Sequence, residues 1–330
     1  MRFVKIILGI VLVLVVVYFV GPHPSKPIYD PALPTVPTTA AALEQYISQE
    51  EAKHQVKKDN EAKIIWADST KKKTPYAIMY LHGFSASWME GDPAHRNIAK
   101  AFGCNLYLAR LSEHGIDTTD ALINMTPDNL WETAKQAYAI GRQLGDTVIL
   151  MGTSTGGTLA LQLAAAYPEV GGLILYSPNI AINDPNAWLL NNPWGVQIAR
   201  MVKGSKYNLI AGDSSYAKYW NTQYRLEAVA NLEELLETKM NETTFKSIHQ
   251  PVLTLYYYKN EQEQDNVVKV TATKAMFAEL GTKHTLKRAV AMPLTGNHVL
   301  ASPIVSKDVP GVEKQTQLFL TEIMQLKPLK

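Results

Sequence analysis

Apolar and polar residues fall into three regimes along the chain. Residues 3–20 are apolar apart from Lys5. Such a stretch, as a helix, spans about 27 Å, near the ~30 Å of a bilayer's hydrocarbon core. Prolines then recur at 22, 24, 27, 31, 34 and 37, a density that favours extended polyproline II backbone. Beyond residue 40 short apolar runs alternate with amphipathic stretches. Residues 43–58 read as a polar surface helix. Residues 63–66, 76–81, 105–111, 147–151, 173–176, 252–258 and 284–291 read as strands, and 127–144, 157–167, 267–280 and 312–326 as helices. Thr126 before Pro127 supplies an N-cap with proline at the first helical position. Strands and helices in regular succession predict an α/β fold, a mostly parallel sheet covered by helices on both faces. Between residues 177 and 251 the alternation stops, and Trp188, Trp194, Tyr207, Tyr216, Tyr219, Trp220 and Tyr224 cluster. This stretch, about 178–249, reads as a helical cap inserted over the C-terminal edge of the sheet, where open α/β folds bind ligands.

The N-terminal regimes predict residues 1–21 as a membrane anchor, 22–39 as a semi-rigid stalk and 40–330 as the folded domain. A cleavable signal peptide would need a shorter apolar core and a small-residue cleavage site, whereas Val17-Tyr18-Phe19-Val20 runs straight into Gly21-Pro22. A lipoprotein would need a cysteine after the apolar run. Arg2 and Lys5 precede the span and only Lys26 closely follows it. By the positive-inside rule the N-terminus stays in the cytoplasm and the domain is exported, to a periplasmic or extracellular side.

Composition narrows the chemistry. The chain has 330 residues, 46% hydrophobic and 19% charged, with a formal net charge of +2. It carries no long basic run, so nucleic acid is not an implied partner, and Lys71-Lys72-Lys73 reads as a solvated loop. Cys104 is the only cysteine. It excludes an intramolecular disulfide framework and any multi-cysteine metal site, and its apolar neighbours predict a buried thiol.

Gly152-Thr153-Ser154-Thr155-Gly156 matches G-x-S-x-G, directly after a buried strand and directly before a small-residue helix. That context is the strand-to-helix turn that exposes a nucleophilic serine, and the helix N-terminus after Ser154 favours negative charge on the attacked oxygen. A tetrahedral oxyanion needs two donors. The backbone N–H of Thr155 is one, and that of Phe84, in the His82-Gly83-Phe84 loop after an earlier strand, is the other; His82 is expected to brace this loop. The serine needs a base. His298, in Gly296-Asn297-His298 after the last strand, fits better than His23, His54, His95, His114, His249 or His284. The acid that orients the imidazole is assigned to Asp265, with Glu261 and Glu263 in the same loop and Asp184 after the preceding strand as alternatives.

Together, His82-Gly83-Phe84, residues 108–115, the Ser154 elbow, Asp265-Asn266-Val267-Val268 and Gly296-Asn297-His298 resemble the α/β-hydrolase superfamily. The likeness runs from about residue 62 to the C-terminus and is nearest to carboxylesterase and monoacylglycerol-lipase-like members. It implies a Ser154–Asp265–His298 triad, no cofactor, no metal, and a cap that shapes an acyl pocket for a small-molecule or lipid ester, with Trp188 and Trp220 as candidate lining residues. Two departures stand out: Glu113-His114-Gly115 replaces a common Gly-His-Gly, and the loop before Asp265 is long. An acyltransferase or thioesterase would use the same triad, and a non-catalytic binding protein on this scaffold is the reading from a different class.

Overall fold

The computed structural model describes residues 2–329, with side chains from Phe3; Met1 and the Arg2 side chain, which belong to the expected anchor and its orientation, lie outside the described residues. The chain begins with helix α1 (Arg2–Phe19) and α2 (Ala40–Glu51). Next come β1 (Lys63–Ile65), β2 (Thr74–Leu81), α3 (Ala94–Phe102), β3 (Asn105–Leu108), α4 (Pro127–Leu144), β4 (Gly145–Thr153), α5 (Thr155–Ala166) and β5 (Gly172–Tyr176). An insertion follows, made of α6 (Gly195–Lys203), β6 (Tyr207–Leu209), α7 (Ser214–Tyr219), β7 (Gln223–Arg225), α8 (Leu226–Lys239) and α9 (Glu242–Lys246). The chain then closes with β8 (Val252–Tyr256), α10 (Val270–Glu279), β9 (Lys287–Ala291) and α11 (Val309–Leu318), which runs into a π-helical turn at Phe319–Ile323.

Seven strands form one sheet in the order β1-β3-β2-β4-β5-β8-β9, parallel throughout except for β1. Its central strands are buried on both faces, which is why they read as continuous apolar runs rather than alternating ones. Ala77, Met79, Leu81, Val148 and Leu150 face a core shared with α4 and α5. Their neighbours Ile78, Tyr80, Ile149 and Met151 face another, with α3 and α11. Two tyrosine hydroxyls that enter the second core are paired, Tyr80 Oη with Thr153 Oγ1 at 2.9 Å and Tyr176 Oη with Thr316 Oγ1 at 2.7 Å. β2 leads to β3 on one side while β4 lies on its other side, so the sheet has a switch point between β2 and β4.

The α4 cap works as its sequence implies: Thr126 Oγ1 accepts the Asn129 N–H and Asn129 Oδ1 accepts the Thr126 N–H, a reciprocal capping box. Three local expectations shift. The helix expected over 43–58 ends at Glu51, and Leu43 and Ile47 on it are buried; Val56 instead bridges to Ile116. The last strand starts at Lys287, because His284–Leu286 forms a 3₁₀ turn. The insertion is more than a cover, since Ala228, Leu232, Leu235 and Leu236 of α8 enter the main core.

The N-terminal segment differs most from expectation. Arg2 and Lys5 occupy the first turn of α1, leaving residues 6–19, about 21 Å of helix against ~30 Å of hydrocarbon. No helix among the described residues is long and apolar enough to cross a membrane. The apolar side chains of α1 are all exposed. The proline-rich segment does not project as a stalk. It has neither helix nor strand, turns at Tyr29 (φ 53°) and is laid against the domain: Asp128 Oδ1 accepts the N–H groups of Ile28 and Tyr29, Trp131 Nε1 donates to Asp30 O, Lys135 Nζ to Ala32 O and Tyr167 Oη to Pro31 O, all within 2.7–2.9 Å. Backbone outside helices and strands must find its partners elsewhere, and three residues of α4 together with Tyr167 supply them. Residues 22–39 therefore act as a strap. A chain beginning at Ala40 should melt at lower temperature than one beginning at Pro22. At roughly 0.5–1.5 kcal/mol net per hydrogen bond, the loss should come to a few kcal/mol in urea unfolding. Equal midpoints for the two chains would show the strap contributes nothing.

Candidate active site

Ser154, Phe84, Asp265 and His298 come from segments remote in sequence, and each follows the C-terminal end of a parallel strand (β4, β2, β8 and β9). Ser154 joins β4 to α5 at φ 53°, ψ −117°, a conformation that costs a non-glycine residue on the order of 1–3 kcal/mol. The surroundings hold it there. The Ser154 N–H donates to Tyr176 O at 2.9 Å, while its carbonyl accepts from Thr158 N and Asn179 N. The flanking glycines are required sterically. A Cβ at Gly152 would lie 2.4 Å from Gly156 O, and one at Gly156 only 1.9 Å from Leu81 O.

The loop after β2 is braced by His82. Leu111 N–H donates to His82 Nε2 at 3.1 Å, so the proton resides on Nδ1, which donates to Gly83 O at 2.8 Å. Burial pushes the His82 pKa well below its ordinary value, which keeps the ring neutral. Fixing the Gly83 carbonyl also fixes the Phe84 N–H, because both belong to one planar peptide. Neither the Phe84 nor the Thr155 N–H has a partner among the described residues, and Thr155, as the first residue of α5, has none available within its helix.

Asp265 and His298 meet as a buried pair, Nδ1 to Oδ2 at 2.6 Å. The other carboxylate oxygen, Oδ1, accepts the N–H groups of Val267 at 2.8 Å and Val268 at 3.1 Å. Burial disfavours charge on both partners, but their mutual attraction prevails: the Asp265 pKa lies below its ordinary value and that of His298 above. Nδ1 donates to Asp265, which leaves Nε2 as the free position of the neutral ring. The long loop before Asp265 does not displace it, because the extra residues fold on themselves. Lys259 N–H donates to Glu263 O, Tyr258 bridges to Gln264, and Asp265 N–H returns to Tyr257 O at the end of β8. Glu261 accepts from Tyr258 Oη and Glu263 pairs with Lys259, both exposed. Asp184 Oδ1 caps a turn at Asn186. None of these three is the partner of His298.

Ser154, His298 and Phe84 line one cavity of about 580 Å³, together with Ile182, Ile210, Tyr216, Trp220 and Leu232. The insertion supplies most of the apolar wall. Of the two tryptophans proposed to line it, Trp220 is buried there, whereas Trp188 is 55% exposed and lies elsewhere. Glu90, which belongs to no motif, also lines the cavity and accepts the Gly83 N–H through Oε2 at 2.5 Å. Its signal was faint: an acidic residue in an apolar stretch, Trp88-Met89-Glu90-Gly91, directly after the His82-Gly83 loop. Cys104 is buried away from the site, and burial pushes its thiol up to about 12.

The model of the family described as serine aminopeptidase, S33, matches residues 128–291, a span that includes Ser154 and Asp265 and stops short of His298. A thermostable monoacylglycerol lipase from Bacillus sp. (strain H-257) is 31% identical over 101 residues, covering 30% of this chain and 39% of the lipase. The chain thus matches well under half the length of that relative. Among solved structures, one of the metagenome-derived lipolytic enzymes LipS and LipT superposes with a TM-score of 0.63 at 17% identity, over 81% of this chain and 99% of that one. A monoacylglycerol lipase from Paleococcus ferrophilus superposes with a TM-score of 0.57 at 13% identity, over 79% and 98%. At these identities the superpositions speak to fold, and they agree with the strand order and the loops described above: the chain has the α/β-hydrolase fold.

Proposed function

We propose that this protein is a serine hydrolase of carboxylic esters that works through an acyl-enzyme on Ser154. The observation that carries the reading is the buried Asp265–His298 pair, which opens on the same cavity as a strained serine and two unpaired N–H groups. His298 Nε2 takes the Ser154 proton as the hydroxyl oxygen attacks the ester carbonyl, and Asp265 holds the imidazolium that forms. The Phe84 and Thr155 N–H groups stabilise the oxyanion. The imidazolium then protonates the leaving alkoxide, and water, deprotonated by the same ring, releases the acid. The apolar wall of Ile182, Ile210, Trp220 and Leu232 suits an acyl chain, and the likeness to monoacylglycerol lipases supports a lipid ester.

The same proposal places the enzyme at a membrane. Residues 3–20 form the single-pass attachment, with Lys5 snorkelling toward the headgroups to compensate for the short apolar length, and the domain lies on the exported side. The exposed apolar side chains of α1 support this reading.

A fluorophosphonate probe should label the wild type and not Ser154→Ala, and the variant should lose about 10⁶-fold in kcat on p-nitrophenyl esters while melting as the wild type does. Activity above a few per cent in the variant would end the assignment of Ser154. Asp265→Asn should lower turnover by roughly 10⁴, since an amide favours the wrong imidazole tautomer; Glu261→Gln, Glu263→Gln and Asp184→Asn should each keep most activity. An inactive Asp184→Asn would move the acid to the loop after β5. In cells, carbonate at high pH should leave the full chain in the membrane fraction and detergent should release it. A mature N-terminus beyond Gly21 would instead show that the segment is cleaved.

A further inference from the structure

Glu90 sits in the single turn Trp88–Gly91 between β2 and α3 and is 2% exposed. Its Oε2 accepts the N–H of Gly83, the residue whose carbonyl is already tied to His82. The peptide that carries the Phe84 N–H is therefore held on one side by a histidine and followed back, one peptide earlier, to a carboxyl. Both Glu90 oxygens would lie 2.9 Å from a Cβ placed on Gly83, and Ser154 Cβ would lie 3.0 Å from it. The carboxyl and Ser154 thus both border the space that one methyl group on Gly83 would fill.

The groups around Glu90 are Tyr80 on β2, Tyr216 on α7, the Trp220 indole that follows it, and His298 after β9. Lys63 and Arg96 approach Trp88 through its ring rather than reaching the carboxyl, and Asp92 and His95 lie beyond that ring. His298 is the one base among the immediate neighbours, and it is already paired with Asp265. Burial pushes the Glu90 pKa up to about 7.

A carboxylate at this point would stand beside the place where attack on an ester puts a second negative charge, in a site of low dielectric where like charges repel strongly. A neutral carboxyl still accepts the Gly83 N–H through its carbonyl oxygen and imposes no such repulsion. We propose that Glu90 is a positioning residue of the oxyanion loop that works in its uncharged form: it holds Gly83 so that the Phe84 N–H stays aimed into the cavity, and its ionisation at higher pH shuts the site down. The inference rests on the ester-hydrolase reading of the same site.

The test is the pH dependence of two rates, kcat/KM on a p-nitrophenyl ester and labelling of Ser154 by a fluorophosphonate. In the wild type both should fall above neutrality, by roughly tenfold per pH unit once Glu90 is ionised. Glu90→Gln keeps an acceptor for Gly83 but cannot ionise, so its alkaline fall should vanish. Glu90→Leu leaves the Gly83 N–H without an acceptor and should lower kcat by about 10- to 100-fold below neutrality, with KM little changed and with no alkaline fall of its own. A wild-type rate that stays flat to pH 9, or a Gln profile that superimposes on the wild type, overturns the proposal while leaving the triad standing. A wild type that neither turns over esters nor takes the probe at any pH overturns the hydrolase reading and this one with it.

Discussion

The first turn of α5 rests directly on the last residue of β2, backbone against backbone, with only the hydrogen of Gly156 between helix and the Leu81 carbonyl. Much of the site follows from that contact. β2 and β4 are neighbours in parallel register, Leu81 opposite Gly152, so the two strands end at the same level and their following loops must pass close together. One loop carries the Phe84 N–H and the other the Thr155 N–H. Any side chain at 156 would wedge helix from strand and part the two donors, and a few tenths of an ångström matter to a pair aimed at a single oxygen. The strained backbone of Ser154 is a consequence of the same geometry: the chain must turn from strand to helix within one residue to bring α5 down onto β2.

Charge is handled by the same economy of partners. His82, His95, His114 and His298 are all buried, and burial alone lowers a histidine's pKa. For three of them that tendency prevails: His82 falls well below its ordinary value, His95 to about 3 and His114 to about 4. Their rings use carbonyl acceptors, Gly83, Trp88 and Ser112, which orient an imidazole without stabilising its charge enough to matter. His95 Nδ1 lies 4.0 Å from Asp92, but of the four only His298 hydrogen-bonds to a carboxylate, and it alone is raised. The ring whose charged form is favoured is thus separated from three whose charged form is not by one residue, Asp265, whose own charge is favoured first by His298 and then by the N–H groups of Val267 and Val268.

Much of this is legible in the amino-acid sequence itself. The elbow was readable because its glycines, its strand and its helix impose their constraints locally, within Gly152-Thr153-Ser154-Thr155-Gly156. The ordering of Asp265 and His298 after successive strands was readable because a parallel sheet collects its loops at one edge. What was not legible depends on contacts remote in sequence. Glu90 looks like a surface carboxylate in an amphipathic stretch until the fold closes Trp220 and Tyr216 over it. Trp188 and Trp220 are equivalent as sequence, and only the path of the insertion sends one outward and the other into the cavity. The proline-rich segment carries the local signature of a stalk; whether such a segment stands free or lies on a surface depends on Asp128, Trp131 and Lys135 of α4, a hundred residues away.

That last difference changes the mechanics of the whole molecule. Eighteen residues of free polyproline II would reach roughly 55 Å, far enough to carry a domain well clear of any surface to which α1 was attached. Strapped along α4, the same residues double back, and Trp194 at the start of α6 takes Val17 O through its indole N–H and Pro22 O through its backbone N–H. The chain therefore passes from α1 onto the insertion with no free linker between them. The same insertion contributes most of the apolar wall of the cavity that holds Ser154 and His298, so the position of α1 and the position of that cavity are coupled through one contiguous packed unit.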